Sequence, residues 1–179
     1  MYDHTINSLP YNHPNFHWHK IGITGKNNSN PKLKTLEQLM VDNGHISEYN
    51  MILKIDVEHW EWNSLNDTPE SILKHFKYIV IELHFKNSKK EARLYYNVLK
   101  KLSKYHQVFY LRCPRRYEIE TFGNNRICKY IEISYIIKEG NEFSKDDSIY
   151  PIFELDYKRP NLNGKKEMNL NILKLFDPD

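Results

Sequence analysis

The apolar residues of this chain fall into alternating strand-like and helix-like groups. Five stretches are short and β-branched, or alternate between apolar and polar positions as strands do: Phe16–Ile23, Met51–Ile55, Tyr78–Leu83, Gln107–Cys113 and Lys129–Ile137. Helical spacing of apolar residues fills the intervals between the first four. Strands that alternate with helices form parallel sheets, whereas the last two strands follow each other through a loop. The pattern therefore predicts an α/β domain with one antiparallel strand near the edge of a parallel sheet.

Capping signals mark where the helices begin and end. The first helix has two candidate starts, at Asn30-Pro31 and at the capping box Thr35–Gln38, and a stop at Gly44. A short helix is predicted from Asp67 to Phe76. The capping box Ser88–Glu91 predicts the start of another helix, which extends to about Lys104, and a polar loop follows from Pro114 to Asn125.

Residues 139–179 show no clean period but carry apolar side chains that could anchor them. These are Tyr150, Ile152, Phe153, Leu155, Tyr157, Ile172, Leu173, Leu175 and Phe176. We expect an ordered extension packed on the domain that residues 1–138 form, not a second domain.

Acidic residues and a histidine stand where two of the predicted strands end. Asp56 and Glu58 come directly after the second predicted strand, and Glu82 and His84 stand at the end of the third. If these strands are parallel neighbours, the four side chains meet at the carboxyl edge of the sheet, where open α/β sheets bind ligands. A carboxylate there can orient a substrate nucleophile or act as a general base, and the imidazole of His84 titrates near neutral pH.

Other roles for the same four residues stay open. Asp56 and Glu58 could cap the helix that follows them, and His84 could be a structural histidine. Three carboxylates with one imidazole could also bind a divalent cation, for which Mg²⁺ or Mn²⁺ is better suited than Zn²⁺. This metal site is an alternative to the favoured catalytic interpretation.

Other side chains could bind ligands but have simpler interpretations. His17 and His19 share a face of the first predicted strand and, with His13, could chelate a metal, although a solvated strand face is the simpler interpretation. Trp60 and Trp62 are interpreted as core residues and not as a substrate platform. Six basic residues could hold an anionic acceptor, with a solvated surface as the default: Lys100, Lys101, Lys104, Arg112, Arg115 and Arg116.

The composition is that of a folded domain. The 179 residues are 40% hydrophobic and 27% charged, and the net charge of +3 is too small to indicate nucleic-acid binding. No apolar window approaches the length of a membrane span, and no apolar region follows Met1 as in a signal peptide. We therefore expect a cytoplasmic location if Met1 is the native start, with no membrane partner. Cys113 and Cys128 lack CxxC spacing and are expected to be unpaired buried thiols.

Five motifs in order resemble those of the FkbM-like methyltransferase domain family. Lys54–Trp62 resembles the signature K-(I/M)-D-(I/V)-E-G-x-E-W, and Val80–His84 resembles the E-(I/L)-H strand. Thr35–Leu39 is similar to the T-L-x-x-(I/L) helix, Cys128–Ile137 to the final E-(L/I)-S-(F/Y) strand, and Asp3–Ile6 to the end of the second strand.

The resemblance implies a Rossmann-like class I methyltransferase sheet that ends in an antiparallel hairpin, its last strand lying between the fifth and the sixth. It also implies S-adenosylmethionine as the cofactor, with Asp3 as the acid that meets its ribose. The implied activity is methyl transfer, and by analogy with the family we expect an oxygen of a small molecule or glycan as the acceptor.

Two features depart from the family pattern. His59 replaces the glycine of the signature, and the chain has no strand 1 with its Gly-rich loop. Strand 1 separates strands 2 and 4 in class I sheets, so we expect an open gap or a make-shift pairing beside Met51–Ile55. We also expect weak S-adenosylmethionine binding unless the chain is extended upstream. The alternative function is a non-catalytic interaction module, or a truncated fragment, on the methyltransferase scaffold.

Overall fold

Strands and helices alternate through most of the described chain. The computed structural model describes residues 1–144 except 27–28, 87, 113–118 and 123–124. Within this part the strands are β1 Gly22–Ile23, β2 Leu33–Lys34, β3 Met51–Ile55, β4 Phe76–His84, β5 His106–Arg112, β6 Ile119–Phe122, β7 Asn125–Cys128 and β8 Tyr130–Ile137. The helices are α1 Leu36–Asp42, α2 Glu61–Asp67, α3 Glu70–Leu73 and α4 Lys89–Tyr105, and residues His45–Ser47 form a 3-10 turn.

The main sheet has four strands in the order β3-β4-β8-β5. β3 and β4 are parallel, and β8 runs antiparallel to both β4 and β5. The register of β3 on β4 shifts between Met51 and Ile52, which pair with Phe76 and Tyr78, so Lys77 is an extra residue on β4. The predicted α/β class is confirmed, and β8 lies between β4 and β5 as the resemblance implies for the last strand.

The core lies on one face of this sheet. Alternate residues of β4 and β8 are fully buried there, including Ile79, Ile81 and Ile133. Helices α2 and α4 contact each other, and Trp62 and Leu102 from them join the same cluster. Burial of each such side chain contributes about 1.5–3 kcal/mol. The core therefore fixes the positions of β3, β4 and α2, which carry the candidate site.

Local capping chemistry decides where the helices start. Thr35 Oγ1 accepts from the backbone N–H of Gln38, and the Gln38 side chain accepts from the backbone N–H of Thr35, so the capping box is the true start of α1. Ser88 caps α4 by accepting from the Glu91 N–H, as predicted. Gly44, at a φ of +68°, follows the end of α1.

The predicted strand Phe16–Ile23 is wrong over most of its length. Only Gly22–Ile23 forms a strand, which pairs in parallel with β2, and His19 makes a single parallel bridge to Tyr2. Alternation of apolar and polar residues creates a strand only where a neighbouring strand supplies the ladder of hydrogen bonds. In the described residues this segment has such a partner only at these points.

Three smaller predictions also need correction. The loop Pro114–Asn125 contains β6 and the start of β7, which pair as an antiparallel hairpin, while residues 113–118 and 123–124 lie outside the described part. The short helix ends at Leu73 and not at Phe76, because Phe76 already belongs to β4. The predicted packing of residues 139–179 stays a prediction, since residues 145–179 lie outside the described part.

Cys128 is buried and disulfide-bonded, so the expected unpaired thiol is wrong at this position. Disulfides depend on proximity in the fold, which sequence spacing alone did not indicate. Cys113 lies outside the described residues. Because disulfides are rare in the reducing cytosol, this bond weighs against the expected cytoplasmic location, which stays a prediction.

β3 is an edge strand in the described part of the chain, as the expected gap requires. It pairs only with β4 there, and a cavity of about 790 Å³ runs beside it. The cavity is lined by all of β3 and, on its far side, by residues that include Tyr2 and His19. One face of β3 is open to solvent, since Ile52 is 69% exposed.

Candidate functional site

The carboxyl ends of β3 and β4 bring three of the predicted residues together. Ile55 pairs with Ile81 in the parallel ladder, so Asp56 follows β3 at the level of Glu82. Glu82 and His84 are two residues apart on β4 and therefore share one face. One ligand atom from each of Asp56, Glu82 and His84 lies within 4.8 Å of the other two. The convergence expected from the sequence is confirmed as geometry.

Glu58 reaches the same place from a tight turn. The turn joins β3 to α2 and is closed by a hydrogen bond from the Trp60 N–H to the Val57 carbonyl oxygen at 3.2 Å. Its two central residues, Glu58 and His59, have φ of 48° and 80°, in the left-handed region that favours glycine. Although Glu58 is 82% exposed, its Oε2 lies 3.4 Å from Nε2 of His84.

Glu61 contacts His84 in this cluster, and sequence reasoning did not single it out as a candidate. Its Oε1 accepts from the backbone N–H of His84 at 2.8 Å and lies 3.0 Å from Nδ1 of the same residue. Both side chains are buried, at 0% exposure for Glu61 and 1% for His84. The indole N–H of Trp62 donates to the His84 carbonyl oxygen at 2.6 Å. His84 is therefore held by its backbone and by one ring nitrogen, while Nε2 faces Glu58.

The charges around His84 favour its protonated form. Burial by itself would lower the pKa of His84, but the hydrogen bond to Glu61 and the negative charges of Glu61, Glu58 and Glu82 raise the pKa above its ordinary value. The pKa of Glu82 is also raised, by burial first and then by the charge of Asp56. The site is thus a concentration of negative charge around one buried imidazole.

His59 lies beside this imidazole. The two rings are 5.1 Å apart, centroid to centroid, in an edge-on arrangement. Burial, followed by the nearby Lys86 and His84, lowers the pKa of His59. Among the described residues, Nδ1 of His59 and Oε2 of Glu61 are buried without a hydrogen-bond partner. Two unsatisfied polar atoms therefore flank His84, and such atoms are uncommon in folded proteins.

The remaining candidates do not join this cluster. The Asp3 carboxylate accepts from the backbone N–H and the hydroxyl of Thr5, and these bonds lower its pKa. His19 stacks on Tyr2 in a segment that is not a strand, so the shared strand face expected for His17 and His19 does not exist.

The core interpretation is right for Trp62, which is 1% exposed, and wrong for Trp60, which is 50% exposed. Of the basic set, Lys101 does not have the solvated role expected of it, since its ammonium group donates to carbonyl oxygens at the end of α2.

The mixed sheet defines an α/β protein, and the acidic cluster lies at the carboxyl edge, where open α/β sheets bind ligands. Residues 4–109, more than half of the chain, match the model of the methyltransferase FkbM domain. The chain belongs to the FkbM methyltransferase domain family. No curated protein and no solved structure matches it. In the described residues no helix combines the length and the apolar character that crossing a membrane requires.

Proposed function

We propose that this protein is an S-adenosylmethionine-dependent methyltransferase with a Rossmann-like fold, and that it methylates a hydroxyl group of a small-molecule or glycan acceptor. One observation carries the proposal. The carboxylates of Asp56, Glu58 and Glu82 converge with His84 at the carboxyl ends of two parallel strands, on a buried scaffold that Glu61 holds in place. Membership of the FkbM methyltransferase domain family supports the same reaction class.

The cluster fits the acceptor side of such a reaction. S-adenosylmethionine supplies an activated methyl group when bound, so the protein mainly has to place the acceptor oxygen in line and receive its proton. Glu58 is the exposed carboxylate of the cluster and takes that proton in our proposal. Asp56 and Glu82 hold the acceptor by further hydrogen bonds. His84, buried behind Glu58, fixes the position of the Glu58 carboxylate and balances its charge.

The cofactor side is only partly present in the described residues. Asp3 offers a carboxylate whose low pKa keeps it ionised, which suits hydrogen bonds from a ribose. The front glycines, however, serve the chain's own packing. A side chain at Gly22 would lie 2.3 Å from Nδ1 of His4, and one at Gly25 would lie 2.4 Å from Oδ2 of Asp67. Neither glycine opens the backbone to a cofactor, so we assign no residue the role of a Gly-rich cradle.

Methyl transfer tests the proposal directly. The chain, and a chain extended by the codons that precede it in frame, are incubated with S-adenosylmethionine and a panel of hydroxylated small molecules and glycans. Mass spectrometry then detects methylated products. We expect product from the extended chain, and a strong loss of it in Glu58→Gln but not in the control Glu37→Gln, which removes a carboxylate from the first turn of α1. Transfer that Glu58→Gln leaves unchanged would refute the assigned role.

The non-catalytic alternative has one observation in its favour, the edge of β3 beside the cavity, which pairs with no strand in the described part of the chain. An edge of this kind can accept a strand from a partner. Isothermal titration of both chains with S-adenosylmethionine separates the two functions. Binding by the extended chain supports the enzyme, and its absence from both chains favours the interaction module.

A further inference from the structure

We propose that Asp56, Glu82 and His84 bind one divalent cation of the Mg²⁺ or Mn²⁺ class, with Glu58 as a fourth ligand. The proposal concerns cation binding and stands whether or not the domain transfers methyl groups. It needs neither the cofactor nor an acceptor for its test.

The spacing of the ligand atoms is close to what a small cation requires. One oxygen of Asp56, one oxygen of Glu82 and one ring nitrogen of His84 lie within 4.8 Å of one another. Ligands of an octahedral Mg²⁺, at about 2.1 Å from the ion, are about 3.0–4.2 Å apart. A shift of the side chains by less than about 1 Å would close the site. Asp56 and Glu58 are exposed, so such a shift needs no repacking of the core.

The contact between the buried histidine and Glu61, which lies outside the proposed ligand set, is a second observation that points to a ligand. Oε1 of Glu61 lies 3.0 Å from Nδ1 of His84 and accepts a hydrogen bond from it, so Nε2, which lies 3.4 Å from Oε2 of Glu58, is the ring atom that a cation would bind by displacing its proton. A carboxylate that fixes the tautomer of a histidine in this way is the usual support of a metal-binding imidazole. Oε2 of the fully buried Glu61 has no hydrogen-bond partner among the described residues, although Oε1 of the same carboxylate accepts two hydrogen bonds from His84.

The donor set and the local charge select the class of ion. Carboxylate oxygens form most of the proposed set, and hard cations such as Mg²⁺ and Mn²⁺ prefer them, whereas Zn²⁺ sites are richer in nitrogen and sulfur. Lys54, whose ammonium nitrogen lies 3.9 Å from the Asp56 carboxylate, offsets only part of the negative charge. A divalent cation would balance the charges that now surround His84.

A bound cation would also give His84 and Glu58 different roles in the site. With Nε2 of His84 as a ligand, this nitrogen would not be available to receive a proton. A hydroxyl group bound to the cation would lose its proton more readily, because the cation stabilises the alkoxide. Glu58 has the most exposed side chain of the proposed ligands, so it could leave the ion to accept this proton.

Titration of the chelator-treated 179-residue chain with Mn²⁺ tests the proposal. Electron paramagnetic resonance of free Mn²⁺ gives the stoichiometry and the affinity. We expect one equivalent to bind, with affinity reduced at least about tenfold in Glu82→Gln and in His84→Gln, and by about 10–100-fold in Glu61→Gln, which leaves the ligands in place but loosens His84. The bound Mn²⁺ should show electron spin-echo modulation from one imidazole nitrogen, and this signal should vanish in His84→Gln.

Glu132→Gln is the matched control. Glu132 pairs with Glu82 across the sheet, so it has the same formal charge and a similar location, but its carboxylate lies 3.5 Å from the guanidinium of Arg112 and outside the proposed ligand set. It should leave Mn²⁺ affinity within about twofold of the unmodified chain, which is inside the context dependence of such charge effects. Equal weakening by Glu82→Gln and Glu132→Gln, or the absence of the imidazole signal, would overturn the proposal in favour of diffuse attraction. Thermal melting of each variant without metal verifies that it is folded.

Discussion

The buried contact between Glu61 and His84 makes a quantitative prediction about stability. In Glu61→Gln the side chain keeps its shape and one acceptor oxygen but loses its charge. Two hydrogen bonds from His84 to Glu61, at 2.8 and 3.0 Å, then become neutral. Hydrogen bonds to charged groups contribute about 1.5–3 kcal/mol and neutral ones about 0.5–1.5 kcal/mol. We therefore expect the free energy of unfolding to fall by about 1–3 kcal/mol.

The loss of unfolding free energy caused by Glu61→Gln should depend on pH in a defined direction. The pKa of His84 in the folded chain lies above its ordinary value, with Glu61 as the largest contribution in that direction. A histidine of this kind stabilises the folded state fully below its unfolded pKa of about 6.5, and the contribution is lost as the pH rises through the folded pKa. The difference between the unmodified chain and Glu61→Gln should therefore be larger at about pH 6 than at about pH 8.

Urea denaturation at both pH values, followed by circular dichroism, measures this difference. Glu37→Gln in α1 serves as the control, because it removes a first-turn carboxylate that belongs to no histidine contact of the described residues. The control should show the same small effect at both pH values. A Glu61→Gln difference that is below about 0.5 kcal/mol, the range of ordinary surface substitutions, would refute the reasoning. So would a difference that grows with pH.

Three further predictions rest on other parts of the fold. His59→Gly should raise the free energy of unfolding by up to about 1 kcal/mol, because glycine tolerates the φ of 80°. His59→Val should lower the same free energy, and calorimetry that finds the opposite order of the two variants would contradict this. Lys101→Met should lower the free energy of unfolding, measured by chemical denaturation, by about 1–3 kcal/mol, because the hydrogen bonds to the end of α2 are lost. Lys100→Met, at an exposed position of the same helix, should lower it by less than about 0.5 kcal/mol. Amides of residues 16–21 should exchange with deuterium faster than those of β4, and equal protection would mean that the sheet has closed beside β3.

Local signals in the sequence were sufficient for most of the main sheet. The apolar runs of β3 and β4 and the capping box at Thr35 act through neighbouring residues, so their effect can be seen in a short window. The meeting of Asp56 with Glu82 and His84 could also be inferred, because strands joined by a crossover helix are usually parallel neighbours. The grouping of Asp56, Glu82 and His84 could therefore be predicted before the structure.

Interactions between distant residues explain what the sequence did not reveal. Glu61 lies 23 residues from His84, and only the turn of α2 onto β4 brings them into contact. The alternation in Phe16–Ile23 was visible, but a strand also needs a partner, and no local pattern shows whether one exists. The glycine position of the family signature was recognised as His59, yet the reason for glycine there, a positive φ, came only from the backbone.

The register shift at the start of β4, where Lys77 is the extra residue, determines which residues lie level with each other at the candidate site. Had the pairing of Met51 with Phe76 continued without the shift, Ile52 would pair with Lys77 and Asp56 would lie level with Ile81 in place of Glu82. Side chains alternate between the two faces of a strand, so that single step would leave Asp56 level with a core-facing residue. Deletion of Lys77 itself would leave Ile52 paired with Tyr78 and Asp56 level with Glu82, so the register of the cluster depends on the pairing that begins at Ile52. The arrangement of the candidate site at the carboxyl end of β3 and β4 thus depends on how these strands begin to pair at their other end.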